Sequence, residues 1–299
     1  METQSITERP DARGGVDELR RHLRGMWSAV AGGWGEHAAY ADARGAAAAE
    51  AMLALTDPQP GERVLELACG PGGLGIAAAE RVGPSGEVVI SDVVAEMTAI
   101  AAERAAARGL DNVTTRNVDV EQIDEPDASF DVVLCREGLM FAPDPDRAAR
   151  EIARVLRPGG RFSAAVWGPR EQNPWLGVVF DSVSGETGAP VPPPGVPGPF
   201  SLDDADGLAG LFVDAGLTDV AVTELEVPAR ADSFDEWWNR TRALAGPLSK
   251  MLASLPEEKA EAIRARAREA VRPYETPTGV ELPGLTLLAS GRNSSGEET

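Results

Sequence analysis

The chain has 299 residues, 43% of them hydrophobic, enough for one large α/β domain with an appendage; with no apolar run of about eighteen residues and no apolar core near its start, neither a membrane span nor a secretory leader is expected, and a cytoplasmic protein is. Forty-eight Asp and Glu against 28 Lys and Arg give a formal net charge of -20, which repels a nucleic-acid backbone unless basic residues gather on one face. Two cysteines, Cys69 and Cys135, and two histidines are too few for a disulfide framework or a metal site, and the thiols read as packing residues.

Residues 1–15 and the tail SGRNSSGEET lack hydrophobic periodicity and are expected to be mobile, with structure beginning near Val16. From Val16 to Leu55 the pattern is helical: DELRRHLRGMW, a glycine break AGGWGEH, then an alanine-rich run to MLAL, giving two or three helices. Arg20, Arg21 and Arg24 around His22 read as a solvated helix face, with contact to an anion as the alternative.

Strand and helix then alternate. Strands are expected at 63–68, 87–92, 112–119, 130–136 and 160–167, and helices at 74–81, 95–108 and 146–156, with RPGG at 157–160 as a helix stop and turn. Such alternation makes a doubly wound sheet with ligands at the C-terminal strand edges. GAPVPPPGVPGPF (188–200) is too rich in proline for helix or central strand. A helix (203–215), a strand (219–227), a helical block (233–272) and a strand (284–290) follow. The expected division is a helical lid at 16–58, an α/β domain at 59–232 and 280–292, a substrate lid at 233–279 and a flexible tail at 293–299.

The stretch VLELACGPGGLG (64–75) carries the chemistry. Gly70, Gly72 and Gly75 satisfy G-x-G-x-x-G, which alone suggests a dinucleotide pyrophosphate on a helix N-terminus. Glu66 argues against that, because a carboxylate beside the turn repels pyrophosphate and suits a cationic ligand. Asp92 ends the second strand, 22 positions beyond Gly70, where a ribose-binding acid belongs, and Asp119 ends the third. Either acid also serves to cap a turn.

With VLRPGGRF before the fifth strand, this set resembles the class I S-adenosylmethionine-dependent methyltransferases, in particular the quinone-biosynthesis and bacterial small-molecule branch, from about Glu62 to Trp167. The resemblance implies a Rossmann-like, mostly parallel seven-stranded sheet, S-adenosyl-L-methionine as cofactor and a small-molecule acceptor, with secondary metabolism as the setting. No metal, nucleic acid or membrane partner is implied, and a homodimer is one allowed assembly. By the same resemblance, backbone from Ala68 through Gly70 to Gly72 approaches the cofactor and Glu66 organises its ammonium. Asp92 accepts the ribose hydroxyls, Val93 and Met97 pack on adenine, Asp119 and Val120 bind its edge, and Cys135 or Arg136 offers a backbone carbonyl.

Methyl transfer is an in-line displacement in which the protein mainly aligns the nucleophile and excludes water. Some relatives carry a histidine beyond the fourth strand, where this chain has Glu137, Gly138 and Leu139. His37 is therefore the first candidate base and Glu137 the second, each with a bland reading beside it: a packed or solvated helix residue for His37, an ion pair or helix cap for Glu137. Trp27, Trp34, Tyr40, Trp175, Trp237 and Trp238, with Met140 and Phe141, are placed to roof a hydrophobic acceptor site, and adjacent Trp237 and Trp238 cannot both face one side of a helix. O-methylation is favoured, with C- or N-methylation open. The alternatives are a nicotinamide-dependent oxidoreductase, a cyclase or rearrangement enzyme using the sulfonium as a structural cation, and a non-catalytic ligand-binding protein.

Overall fold

The computed structural model describes residues 12–294; the expectations for residues 1–11 and 295–299 lie outside them. Three helices lead, α1 (Ala12–Ser28), α2 (Ala31–Glu36) and α3 (Ala38–Thr56). Strand and helix then alternate as β1 (Arg63–Leu67), α4 (Gly73–Val82), β2 (Glu87–Asp92), α5 (Ala95–Ala107), β3 (Val113–Asn117), β4 (Phe130–Arg136), α6 (Pro145–Val155) and β5 (Leu156–Trp167). After α7 (Pro174–Thr187), α8 (Ala205–Asp214) and β6 (Leu217–Glu226), the short strand β7 (Ala229–Ala231) opens an appendage. It contains α9 (Phe234–Leu244), α10 (Gly246–Ser254), α11 (Glu257–Val271), β8 (Glu275–Thr276) and β9 (Gly279–Leu282), and β10 (Leu285–Asn293) returns to the main sheet.

The seven-stranded sheet has the order β3-β2-β1-β4-β5-β10-β6. It is parallel from β3 to β5, and β10 runs antiparallel between β5 and β6. The apolar runs of β1, β2 and β4 are buried on both faces, as a covered parallel sheet requires. Strand alternation sends Val64, Val132 and Leu134 toward Met52, Leu74 and Ala101 of α3, α4 and α5. Leu65, Leu67 and Val133 turn toward Ile152 of α6 and Phe212 of α8. Cys69 and Cys135 fall in these two separate cores, both free and buried, so they pack as small apolar residues. Because the chain builds outward from β1 to β3 and then returns to β4 on the other side of β1, the C-terminal ends of β1 and β4 flank the switch-point crevice.

Several boundaries differ from expectation for identifiable reasons. α1 begins at Ala12 instead of Val16, since extending a nucleated helix by a turn gains a hydrogen bond per residue. β10 continues through Asn293, where a mobile tail was expected from Ser290, because Arg292 pairs with both Arg161 and Thr218. The RPGG turn is a bulge inside β5: Leu156 pairs with Phe130 but Arg161 with Val132, and Gly159 takes the left-handed conformation. The block at 233–272 divides into three helices, and the sheet β7-β9-β8 was not foreseen because strands of 3, 4 and 2 residues are too short to show alternation. The appendage builds a core of its own, in which Trp237, Trp238 and Ile263 pack with Val179 and Val183 of α7. Among the described residues no helix is long and apolar enough to cross a membrane, and no group of three metal-ligating side chains gathers.

One polar side chain joins these parts. Asn173, fully buried, donates to the carbonyls of Gly168 and Leu285 at 3.0 Å and accepts from the Leu285 amide and the Trp175 indole at 3.0 Å. It ties the end of β5 to the start of β10 and fixes Trp175. Each buried group left unsatisfied costs about 1–3 kcal/mol, so Asn173→Ala should lower stability by about 3 kcal/mol or more in urea unfolding. A loss under about 1 kcal/mol would mean that water substitutes for the amide.

Candidate active site

After β1 the chain turns through Ala68 and Gly70, at φ 51° and 52°, into the N-terminus of α4. Gly72, at φ 81°, precedes that helix, and a side chain there would overlap Ala101. β4 ends in the same manner: Glu137 has φ 60°, and a Cβ on Gly138 would overlap that of Ala68. Non-glycine residues held in the left-handed region cost on the order of 1–3 kcal/mol. Ala68 and Glu137 bear that cost on adjoining loops at the switch point.

Asp92 closes β2 beneath the glycine loop. Its Oδ2 accepts the Gly70 amide and its Oδ1 the Val94 amide, both at 3.0 Å. Burial lifts its pKa to about 6 against the opposing pull of these amides, leaving it ionised at neutral pH. Glu66 is also buried, its Oε2 without a partner among the described residues, and burial raises its pKa to about 8 although Arg136 pulls it down.

Two cavities meet above these acids. The narrower, about 140 Å³, is lined by Ala68, Gly70, Asp92, Val93, Met97, Asp119, Val120 and Arg136, which gathers most of the expected cofactor set at one place. Glu66, Gly72 and Cys135 do not line it; Glu66 is buried with its carboxylate against Gly75 of α4, Cys135 is buried in the core on the other side of the sheet, and Gly72 packs on Ala101. The outer wall comes from α1. Arg20 reaches across to the buried Glu121, its Nε 3.0 Å from Oε2, and Arg24 lines the cavity, so this face is not merely solvated.

The second cavity, about 810 Å³, is an apolar chamber lined by Trp27, Trp34, Tyr40, Met140, Phe141, Trp175 and Trp237. Trp238 is absent from its wall and packs on Phe234 within the appendage core, because adjacent helix positions face different ways. Trp27, Trp34, Glu137 and Phe141 line both cavities, and Trp27 meets Phe141 edge-on at 4.8 Å. The Trp34 indole donates to the Leu244 carbonyl at 3.0 Å, fastening α2 to α9.

His37 lines neither cavity. It forms the corner between α2 and α3, where its amide donates to the Gly33 carbonyl and its own carbonyl accepts the Ala41 amide, leaving the residue half-buried away from the junction. Glu137 is at the junction: its Oε1 is buried without a partner among the described residues, and burial raises its pKa against the pull of Arg136 and Arg44. Sequence reasoning missed Arg44, Arg240, Trp167 and the proline connector, all of which line the chamber. Arg44 had left a signal, since it lies in the i, i+4 row of Ala48 and Met52, which are fully buried.

Residues 64–160 match the family model described as a methyltransferase domain. The nocamycin O-methyltransferase of Saccharothrix syringae is 37% identical over 152 residues, covering 48% of this chain and 54% of that protein. A ubiquinone/menaquinone biosynthesis C-methyltransferase of Ectopseudomonas mendocina is 37% identical over 133 residues, covering 44% and 52%. The chain thus spans about half the length of these relatives. Among solved structures, the YcgJ protein of a Bacillus species superposes with a TM-score of 0.57 at 21% identity, over 83% of this chain and 98% of that one, which shows a shared fold.

Two outcomes follow from the acids below the loop. A cationic nucleoside above Glu66 favours its ionised form, so binding of S-adenosylmethionine at pH 7 should release up to about one proton. Calorimetry should then read more exothermic in Tris than in phosphate, and Glu66→Gln should erase the difference; equal heats in the two buffers for the unaltered protein would contradict it. Asp92→Ala should weaken cofactor binding by about 1.5–3 kcal/mol through loss of a charged acceptor. Unchanged affinity in a folded variant would remove Asp92 from the site.

Proposed function

We propose, from the match of residues 64–160 to a methyltransferase domain, that this chain is a class I S-adenosylmethionine-dependent enzyme that transfers the sulfonium methyl group to a small, largely hydrophobic acceptor, at oxygen in preference to carbon or nitrogen. The observation that carries the reading is the shared wall: Trp27, Trp34, Glu137 and Phe141 border both the cofactor cavity and the apolar chamber. A methyl group leaving the first enters the second without crossing bulk water. The size and aromatic lining of the chamber favour a cyclic or polyketide-like acceptor, and secondary metabolism is the setting such an acceptor implies.

The residues take definite roles. Asp92 and Asp119 hold the ribose and adenine, and the strained loop at Ala68 brings backbone against the methionyl portion. α1, fastened by Arg20 to Glu121, and α9 to α11 act as lids over the two cavities. Glu137 would accept the proton of the acceptor hydroxyl, and S-adenosylmethionine held at Asp92 and Asp119 would supply the electrophilic methyl group to that oxygen and leave as S-adenosylhomocysteine. Only the ionised carboxylate serves as base, and burial places its pKa above the ordinary glutamate value, so turnover should rise with pH across that raised pKa.

An acceptor screen with methyl-labelled S-adenosylmethionine tests the reading: labelled product with stoichiometric S-adenosylhomocysteine supports it, and product formed without S-adenosylhomocysteine would point instead to a cyclase or rearrangement. With a true acceptor, Glu137→Gln should lower turnover about a hundredfold or more, abolish the acidic limb of the pH profile and leave cofactor affinity intact. A fall under about threefold would leave alignment alone to carry the reaction.

A further inference from the structure

The charges lining the chamber run opposite to those of the chain. In a protein of 48 acids and 28 Lys and Arg, the chamber wall presents Arg21, Arg44, Arg240 and Lys250, with Glu137 as its sole carboxylate among the described residues. Arg21 and Lys250 are exposed at the rim. Arg240 is satisfied, stacking on Tyr40 at 3.6 Å and pairing with Glu236 at 2.6 Å. Arg44 is not.

The Arg44 guanidinium lies over the Trp175 ring at 3.9 Å and the Trp167 ring at 4.6 Å, and its Nε and Nη2 are buried with no hydrogen-bond partner among the described residues. Burial lowers its pKa, with Glu137 and Tyr40 acting against that. A buried cation without an acceptor opposes folding, and an apolar side chain of similar volume in its place is generally tolerated or stabilising. The two contacting indoles hold the guanidinium in place but satisfy none of its N–H donors, so Nε and Nη2 of its planar fork stay set for a planar anion.

We infer that the acceptor is an organic anion, an apolar body bearing a carboxylate or an ionised enol, whose anionic oxygens are received by Arg44 while a second oxygen stands at Glu137 to take the methyl group. The exposed cations at the rim draw such a molecule into an otherwise acidic protein. Arg44 is a binding and specificity residue in this scheme. The inference rests on the methyl-transfer reading for the role of the chamber, and its test is separable from that reading.

The test is calorimetric titration of matched probes: 2-naphthoate against 2-naphthamide, and 4-hydroxycoumarin against coumarin, with and without S-adenosylhomocysteine. The unaltered protein should bind the anion of at least one pair about tenfold or more tightly than its neutral partner, as a charge-assisted hydrogen bond implies. The pair that shows the preference identifies carboxylate or enolate. Arg44→Met should bring the preference to about twofold or less while leaving S-adenosylhomocysteine affinity and the melting temperature unchanged or, for the latter, higher. Arg44→Gln, polar and uncharged, serves if the methionine variant does not fold. Equal binding of anion and neutral probe to the unaltered protein, or a preference that survives loss of the guanidinium, overturns the inference. Failure of S-adenosylhomocysteine to bind the unaltered protein counts against the methyl-transfer reading instead, and the anion preference still decides the role of Arg44.

Discussion

Two strand ends meeting at a switch point set the geometry on which everything else rests. The β1 and β4 loops come so close that a side chain on Gly138 would overlap Ala68, and each loop holds a non-glycine residue, Ala68 or Glu137, in the left-handed region. The buried sheet below, with its parallel register from β3 to β5, is rigid enough to impose that conformation. The consequences lie on both sides of the crevice. The β1 loop lies over Asp92, and the β4 loop puts the Glu137 carboxylate where the two cavities join.

Electrostatics divide the crevice into two halves. Acids lie along and beneath the cofactor side, with the pKa of Glu66 raised by burial and Asp92 held by backbone amides, alongside Arg20, Arg24 and Arg136. The chamber side carries Arg44 against two indoles. Glu137 stands between the halves, desolvated like Glu66 but within the fields of Arg44 and Arg136. On the proposed reading, a cationic methyl donor on one side and an anionic acceptor on the other would each meet opposite charge.

The cofactor half was legible in the sequence because it is built from local rules. A strand, a glycine turn and a helix N-terminus occupy consecutive residues, and Asp92 follows at the end of the next strand, so spacing points to Asp92, while the family resemblance adds Met97 and Asp119, the latter two residues beyond β3; all three line one cavity. The chamber half was less legible, since its walls come from α1, α3, α7, α9 and the proline connector, brought together by packing between distant segments. Aromatic residues in those segments could be guessed; the inward turn of Arg44 and the exclusion of Trp238 depend on helix phase. His37 illustrates the limit: its neighbours Trp34 and Tyr40 line the chamber, but the corner between two helices turns His37 itself aside. The bulge at Arg157–Gly160 and the three short strands of the appendage lacked any periodic signal.

The central claim is that the transferable methyl group lies at the shared wall between the two cavities. Nuclear Overhauser measurements on the protein bound to S-adenosylmethionine carrying a carbon-13 methyl group address it directly. The account predicts cross-peaks from that methyl to ring protons of Phe141 and Trp27, which line both cavities. Cross-peaks confined to Leu23 and Val118, which line the cofactor cavity alone, would place the methyl away from the chamber and contradict the account.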